Sequence, residues 1–240
     1  MISWLHRYPD IAFAIAAALV FVAWPGLDLW LAGLFYVPGH GFSLWQGWWV
    51  HLTYVLVARF WVLAPLLAVL LVCASARRAP ARWRAQRSAN GYLLAVLLIG
   101  PGLITNTLLK NEWGRPRPVH LVAFGGHSPF VPALQPSGEC ATNCAFVSGH
   151  AAAAFFPIAG FWITRRRRYL VGGIVFGLFV GFVRMAMGAH FLSDVLFAGV
   201  VVALTCRLFA PLFLRGNRKF RCRHFQESQH AAVTCHSRHE

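Results

Sequence analysis

The chain has little charge, and acidic residues are the scarcest kind. Charged residues make up 12% of the 240 residues, and only seven are aspartate or glutamate. A soluble domain has about twice that share of charge. Together with 58% hydrophobic residues, arranged in apolar runs of about 20 residues, this scarcity excludes an ordinary soluble protein and predicts an integral membrane protein. The few carboxylates form no acidic cluster for magnesium, so neither a metal nor another cofactor is expected.

Basic residues are abundant but unevenly placed. The 22 lysines and arginines give a net charge of +15. Most of them gather at residues 77–87, 165–168 and 215–223, and each cluster lies beside the end of an apolar run. This is the positive-inside pattern of membrane proteins. The expected partners are therefore a phospholipid bilayer with its anionic headgroups rather than nucleic acid.

Hydropathy predicts an all-α fold, a bundle of six transmembrane helices. The predicted spans cover residues 11–36, 51–73, 90–109, 148–164, 169–187 and 191–214. Pro25-Gly26 is expected to kink or end the first helix. The segment at residues 37–50, rich in glycine and tryptophan, is typical of the membrane interface. Residues 1–214 are thus predicted to form one membrane domain, and residues 215–240 a basic cytoplasmic tail without regular structure.

The predicted topology collects the unusual polar residues on one face of the membrane. Six spans place both termini and all three basic clusters on the same side, which the positive-inside rule makes cytoplasmic. The longest polar loop, residues 110–147, then lies on the opposite side. The start of the fourth span and the short turn at residues 184–194 lie there too.

Several residues on this face are suited to binding a phosphate group. Lys110, Arg117 and Arg184 are cations in a region where cations are otherwise scarce, and converging cations indicate a polyanion such as phosphate. Ser148 and Gly149 open the fourth span, where backbone N–H groups at a helix N-terminus can bind an anion. Glycine at the second of these positions lets the backbone approach the ligand closely.

Two histidines on this face have different surroundings. His190 and Asp194 are four residues apart, so on a helix they share a face and can hydrogen-bond; Arg184 is a second candidate partner for the carboxylate. A carboxylate on one ring nitrogen leaves the other free as a nucleophile. His150 has no carboxylate at helical spacing and suits a general acid. The pair predicts hydrolysis through a phosphohistidine on His190, with the cations stabilising the transition state.

The three polar sets, in this order, resemble the motifs of the type 2 phosphatidic acid phosphatase superfamily: Lys-x6-Arg-Pro, Pro-Ser-Gly-His and Ser-Arg-x5-His-x3-Asp. Val147 stands in place of the motif proline, and Val183 in place of the motif serine. The resemblance covers about residues 90–214. It implies a metal-independent membrane phosphatase with a six-helix core. The site residues it implies are His190 as nucleophile, His150 as acid, Asp194 as the partner of His190, and Lys110, Arg117, Ser148, Gly149 and Arg184 as phosphate ligands.

Residues 111–118 and 143–150 are most similar to the bacterial lipid A phosphatase branch of this superfamily. The resemblance therefore implies hydrolysis of a lipid A phosphate at the periplasmic face of a bacterial inner membrane. Undecaprenyl diphosphate, phosphatidylglycerol phosphate and phosphatidic acid remain open as substrates. A lipid phosphotransferase with the same intermediate and a non-catalytic lipid transporter or scaffold are the alternatives from other classes. The sequence predicts no oligomeric state.

Cysteine usage adds one expectation about the long polar loop. Cys140 and Cys144 lie four residues apart there, and an oxidising periplasm favours a disulfide that rigidifies the approach to Ser148. The tail also contains histidines and cysteines, at residues 222–239. Their spacing matches no zinc pattern, so a solvated tail is favoured over a metal site.

Overall fold

The computed structural model describes residues 8–42, 47–48, 50–57, 59, 63, 67, 70 and 81–236, without the side chains of residues 81–85 and 215–236. These residues are mainly helical, as predicted. They include the helices α1 Pro9–Ala23, α2 Leu27–Gly33, α3 Ala81–Leu97 with a π-helical continuation Leu98–Leu109, α4 Lys110–Glu112, α5 Gly149–Phe155, α6 Ala159–Thr164, α7 Arg167–Ala186 and α8 Leu192–His236. Residues 50–57 are helical as well. Short 3₁₀ turns cover Pro118–His120, Val122–Phe124 and Phe156–Ile158.

Three helices of the described residues are long and apolar enough to cross a membrane, and they are Gln86–Glu112, Arg167–Ala186 and Leu192–Leu214. The bent pair α1–α2 makes a fourth candidate if it is taken as one span. Residues 149–164 form a shorter apolar helix, in which Pro157 lies within a 3₁₀ turn. About half of residues 51–73, the predicted second span, lie outside the described residues, and the described ones are helical. The described residues are thus mainly helical and contain three to four candidate spans, and the predicted number of six is not confirmed.

The predicted break in the first span is confirmed. Helices α1 and α2 meet at an angle of 83°, around Pro25-Gly26. The pair is joined to α8 near both of its ends. The Asp10 carboxylate pairs with the Arg207 guanidinium, and the Asp28 carboxylate accepts a hydrogen bond from the Ser193 backbone N–H at 3.0 Å. The N-terminal segment therefore belongs to the bundle.

Helix α7 packs closely against its neighbours through glycines. A Cβ atom on Gly177 would lie 2.2 Å from the Phe155 ring, and one on Gly181 would lie 2.2 Å from the Val195 side chain. Small residues at such crossings let helix backbones approach each other in a membrane protein. This close packing brings the end of α7, the start of α8 and the start of α5 together at the same end of the bundle, where the candidate site lies.

The segment after the first span differs from the all-α expectation. Strands β1 (Tyr36–Val37) and β2 (Gly41–Phe42) form a small antiparallel hairpin, with Tyr36 opposite Phe42. Gly39 and Gly41 adopt positive φ angles of 80° and 72°, which lets the chain reverse within three residues. The segment at residues 37–50, expected at the membrane interface, therefore begins within a hairpin. Its residues 43–46 and 49 are not among the described residues.

Two other boundaries differ from prediction. Residues 81–89, predicted as part of a basic loop, open helix α3, because alanine, arginine and glutamine favour helix and neither glycine nor proline interrupts them. Helix α8 continues to His236, through the region expected to lack regular structure. The division into a membrane domain and a separate tail stays a prediction, as does the role of the tail histidines and cysteines.

Candidate active site

The fold brings the predicted polar sets together. Lys110, Arg117, Arg184 and His190 all lie close enough to His150 to act on it electrostatically, although they come from two segments that are far apart in the sequence. Lys110, Arg184 and His190 are buried, with side chains 9%, 4% and 1% exposed. The cations and imidazoles therefore share one polar pocket at the end of an otherwise apolar bundle.

Unpaired polar atoms concentrate in this pocket. Among the described residues, four buried side-chain nitrogen or oxygen atoms have no hydrogen-bond partner in the protein. Three of them are His150 Nε2, His190 Nε2 and Arg184 Nε, and the fourth is Thr105 Oγ1. A buried polar group left unpaired costs about 1–3 kcal/mol. Three such groups in one pocket indicate a place that is built to bind a polar ligand.

The orientation of His190 differs from the prediction. Its Nδ1 lies 2.8 Å from the carbonyl oxygen of Ala145, whereas the nearest oxygen of Asp194 lies 3.5 Å away. The carboxylate faces other donors instead and accepts from the Phe191 backbone N–H at 2.8 Å. A carbonyl only accepts hydrogen bonds, so Nδ1 donates and Nε2 of the neutral ring keeps its lone pair. One ring nitrogen donates and the other keeps its lone pair, as predicted, but the acceptor is the Ala145 carbonyl and not the Asp194 carboxylate.

The surroundings of His190 also favour its neutral form. Burial lowers the pKa of His190 well below its ordinary value, and the positive charges of Arg184, Lys110 and Arg117 lower it further. At physiological pH the ring is therefore uncharged. An uncharged imidazole with an unpaired Nε2 is the form that can attack an electrophile.

Arg115 is one of two residues of the site that were not predicted from the sequence. Its guanidinium is fully buried and donates from Nη1 to Asp194 at 2.6 Å and from Nη2 to Asp28 at 2.8 Å. It also stacks over the Phe191 ring, 4.1 Å from the centroid. Arg184, the predicted alternative partner of Asp194, instead points toward Met187. The signal was present in the sequence, because two carboxylates in apolar runs require a buried cation.

Two of the predicted phosphate ligands are held by one asparagine. Asn143 Oδ1 accepts from Lys110 Nζ at 3.0 Å and from Arg117 Nη2 at 2.8 Å, and the Asn143 carbonyl also accepts from Nη2 at 2.8 Å. Asn143 has a positive φ of 52°, a conformation that asparagine tolerates better than most residues. It lies in the loop closed by a disulfide between Cys140 and Cys144. This loop thereby sets the positions of both cations.

Ser148 and Gly149 lie at the N-terminus of α5, and their role as phosphate ligands stays a prediction. Ser148 caps α5, with its hydroxyl oxygen accepting from the Ala151 N–H at 3.4 Å, and its own N–H donates to the Asp194 carbonyl at 3.1 Å. A Cβ atom on Gly149 would lie 2.3 Å from Asn106 Oδ1, so glycine lets the backbone come this close to the Asn106 side chain. The start of α5 is thus fixed against both the π-helix and α8.

Tyr54 is a second residue that the sequence analysis did not single out. Its ring stacks on His150 with centroids 4.8 Å apart, and the Arg184 guanidinium lies 5.3 Å from the same ring. A cation above an aromatic face is stabilised electrostatically. Tyr54 therefore orients one imidazole and one cation of the pocket. A tyrosine inside a predicted apolar span gives no sequence signal of this role.

Sequence comparison relates the chain to a known superfamily and to individual proteins. The profile of the PAP2 superfamily matches residues 90–219. The lipid A 4'-phosphatase of Francisella tularensis subsp. novicida is 32% identical over 222 residues, covering 88% of this chain and 96% of that protein. The lipid A 4'-phosphatase of Rhizobium leguminosarum is 32% identical over 206 residues, covering 75% of this chain and 84% of that protein.

A third relative, the lipid A 1-phosphatase of Rhizobium etli, is 33% identical over 132 residues, half of each chain. No solved structure is significantly similar to the chain. The profile match spans more than half of the sequence, and one relative aligns along nearly all of it. On both grounds the chain belongs to the PAP2 superfamily, the family that the order of its motifs had predicted.

Proposed function

We propose that the chain is a lipid A phosphatase of the bacterial inner membrane, which removes the 4'-phosphate by hydrolysis. The observation that carries this proposal is the convergence of His190 Nε2, His150 Nε2 and Arg184 Nε, all buried and unpaired, in one cationic pocket. The 4'-phosphatase relatives align with three quarters or more of the chain, and the 1-phosphatase with half of it. The 1-phosphate is therefore the second candidate.

In the first chemical step, the lone pair of His190 Nε2 attacks phosphorus, and the bond from phosphorus to the sugar oxygen breaks. The leaving oxygen takes a proton from His150, which enters this step as the imidazolium and acts as the general acid. Lys110, Arg117 and Arg184 are placed to stabilise the negative charge on the phosphoryl oxygens. The product of this step is a phosphohistidine on His190 and a free sugar hydroxyl.

In the second step, a water molecule attacks the phosphorus of the phosphohistidine. His150, now neutral, accepts a proton from this water, and the bond between phosphorus and Nε2 breaks. Inorganic phosphate leaves, and both imidazoles return to their starting protonation states. The hydrogen bond from His190 Nδ1 to the Ala145 carbonyl holds the ring in one orientation through both steps.

The proposed topology has six spans, with residues 51–73 as the second, both termini cytoplasmic and the active site periplasmic. The three basic clusters support this orientation, because positive residues stay on the cytoplasmic side. A pocket at the membrane face suits a substrate whose acyl chains lie in the bilayer. The phosphorylated headgroup then reaches the pocket from the periplasmic leaflet.

A substrate panel tests the proposed function. Purified protein in detergent with EDTA is expected to release phosphate fastest from lipid A. The alternative substrates in the panel are undecaprenyl diphosphate, phosphatidylglycerol phosphate and phosphatidic acid. Free phosphate reports hydrolysis, and mass spectrometry of the product locates the phosphate that was removed. A higher kcat/KM on another lipid, or a strict need for a divalent metal, would contradict the proposal. Transfer of phosphate to a second lipid without release would indicate a phosphotransferase.

Asn143→Ala is expected to lower kcat/KM for lipid A about tenfold, because Lys110 and Arg117 lose the side-chain oxygen that they share. Asn143→Asp is expected to have a larger effect, since a carboxylate beside both cations competes with the phosphate. Thr142→Ala, an exposed neighbour in the same loop, is the matched control. If both Asn143 variants had the same kcat/KM as Thr142→Ala and the wild type, Asn143 would not position the cations.

A further inference from the structure

A cavity of about 460 Å³ lies directly beside the candidate active site. It is bounded by the β1–β2 hairpin, by residues 117–120 and by the turn that precedes His190. Arg117 lines the cavity and also belongs to the phosphate pocket, so the two spaces are neighbours. One water molecule takes up about 30 Å³, so the cavity has room for roughly 15 groups of that size. This is far more space than a phosphate needs.

The walls of the cavity are fixed to the segment that carries the nucleophile. Gly188 has a positive φ of 65°, and a Cβ atom there would lie 2.4 Å from the Phe42 ring, so the hairpin packs directly on this turn. On the other side, the Val119 N–H donates to the Gly188 carbonyl at 3.0 Å. A group bound in the cavity is therefore held in a defined position relative to His190.

The chemistry of the lining identifies the kind of group that fits. Phe42, Val119 and Met187 provide apolar surface, whereas His40 and His120 provide exposed imidazoles that can donate or accept hydrogen bonds. None of the lining residues is acidic. A sugar ring has the matching character, because it presents apolar C–H faces and a rim of hydroxyl groups.

We propose that this cavity is a saccharide subsite, which binds the sugar ring that bears the scissile phosphate, with His40 and His120 hydrogen-bonding its hydroxyl groups. This inference rests on the proposed function, since a lipid A phosphate is esterified to a sugar. The family motifs do not contain His40 or His120. The subsite would give the enzyme its preference for a sugar phosphate over a glycerol phosphate.

Kinetics on two substrates test the subsite. For each variant, kcat/KM is measured on lipid A and on phosphatidic acid, and the ratio of the two is compared with the wild-type ratio. His40→Ala and His120→Ala are each expected to lower this ratio about threefold to tenfold, the value of one hydrogen bond. Val119→Trp, at a position that is 45% exposed, is expected to lower it further by filling the cavity.

His127→Ala is the matched control, because His127 is an exposed histidine of the same loop that does not line the cavity. Its ratio should stay at the wild-type value. The subsite would be overturned if the ratio were unchanged in His40→Ala, His120→Ala and Val119→Trp. The proposed function would still stand if the wild-type protein hydrolysed lipid A. A wild-type protein that hydrolyses phosphatidic acid but not lipid A would overturn both.

Discussion

His190→Gln is expected to abolish phosphate release, lowering kcat by a factor on the order of 10⁴ or more. Glutamine fills much of the volume of the imidazole, but its amide has no nucleophilic nitrogen. The loss should therefore appear in kcat rather than in stability. The measurement is phosphate release from lipid A, together with the apparent Tm of the purified variant.

A labelling experiment separates a nucleophile from a merely structural histidine. The substrate carries radiolabelled phosphate, and the reaction is quenched in base. The wild-type protein should then retain covalently bound label, and His190→Gln should retain none. His150→Gln should retain more label with p-nitrophenyl phosphate, whose leaving group needs no proton, because the second step lacks its base. His127→Gln is the control for turnover. Release within tenfold of wild type in His190→Gln would show that another group attacks phosphorus.

Arg115→Met is expected to destabilise the protein by roughly 3–5 kcal/mol, because it leaves two buried carboxylates without their cation. Asp28 and Asp194 are 1% and 0% exposed, and both receive hydrogen bonds from the Arg115 guanidinium. Methionine fills much of the same volume, so lost packing contributes little. The apparent Tm in detergent should fall by about 6 °C or more.

Two further variants test whether charge is the cause. Arg115→Met combined with Asp28→Asn should recover part of the lost stability, because one uncompensated charge has been removed. Arg167→Met, which removes an exposed arginine at the start of α7, should leave the Tm unchanged. If Arg115→Met alone behaved like Arg167→Met, the buried ion pairs would have no structural role.

Most of the site could be predicted because its members carry local signals. Lys110, Arg117 and Arg184 stand out as cations beside apolar runs. The spacing of His190 and Asp194 also predicts that they lie close together, although His190 precedes α8 instead of lying on it. Alternation of apolar runs and basic clusters then assigns them to one end of the bundle. These inferences need only the periodicity of a helix and the cost of charge in a membrane.

The remainder depends on contacts between distant segments. The acceptor of the His190 ring is a backbone carbonyl 45 residues away, and a carbonyl has no side-chain signature. The partner of Asp194 is 79 residues away, and three arginines near the site were chemically possible. The hairpin at Tyr36–Phe42 was also missed, because two residues per strand are too few for a periodic pattern.

The ion pairs of α1 and α2 have a consequence for how the protein is made. Asp28 is synthesised 87 residues before Arg115, and Asp10 197 residues before Arg207. The first helices therefore enter the membrane with carboxylates whose partners do not yet exist. They can settle against α8 only when the last membrane helix has arrived. The step that closes the bundle is then the same step that aligns Asp194, so an incompletely inserted chain has no formed active site.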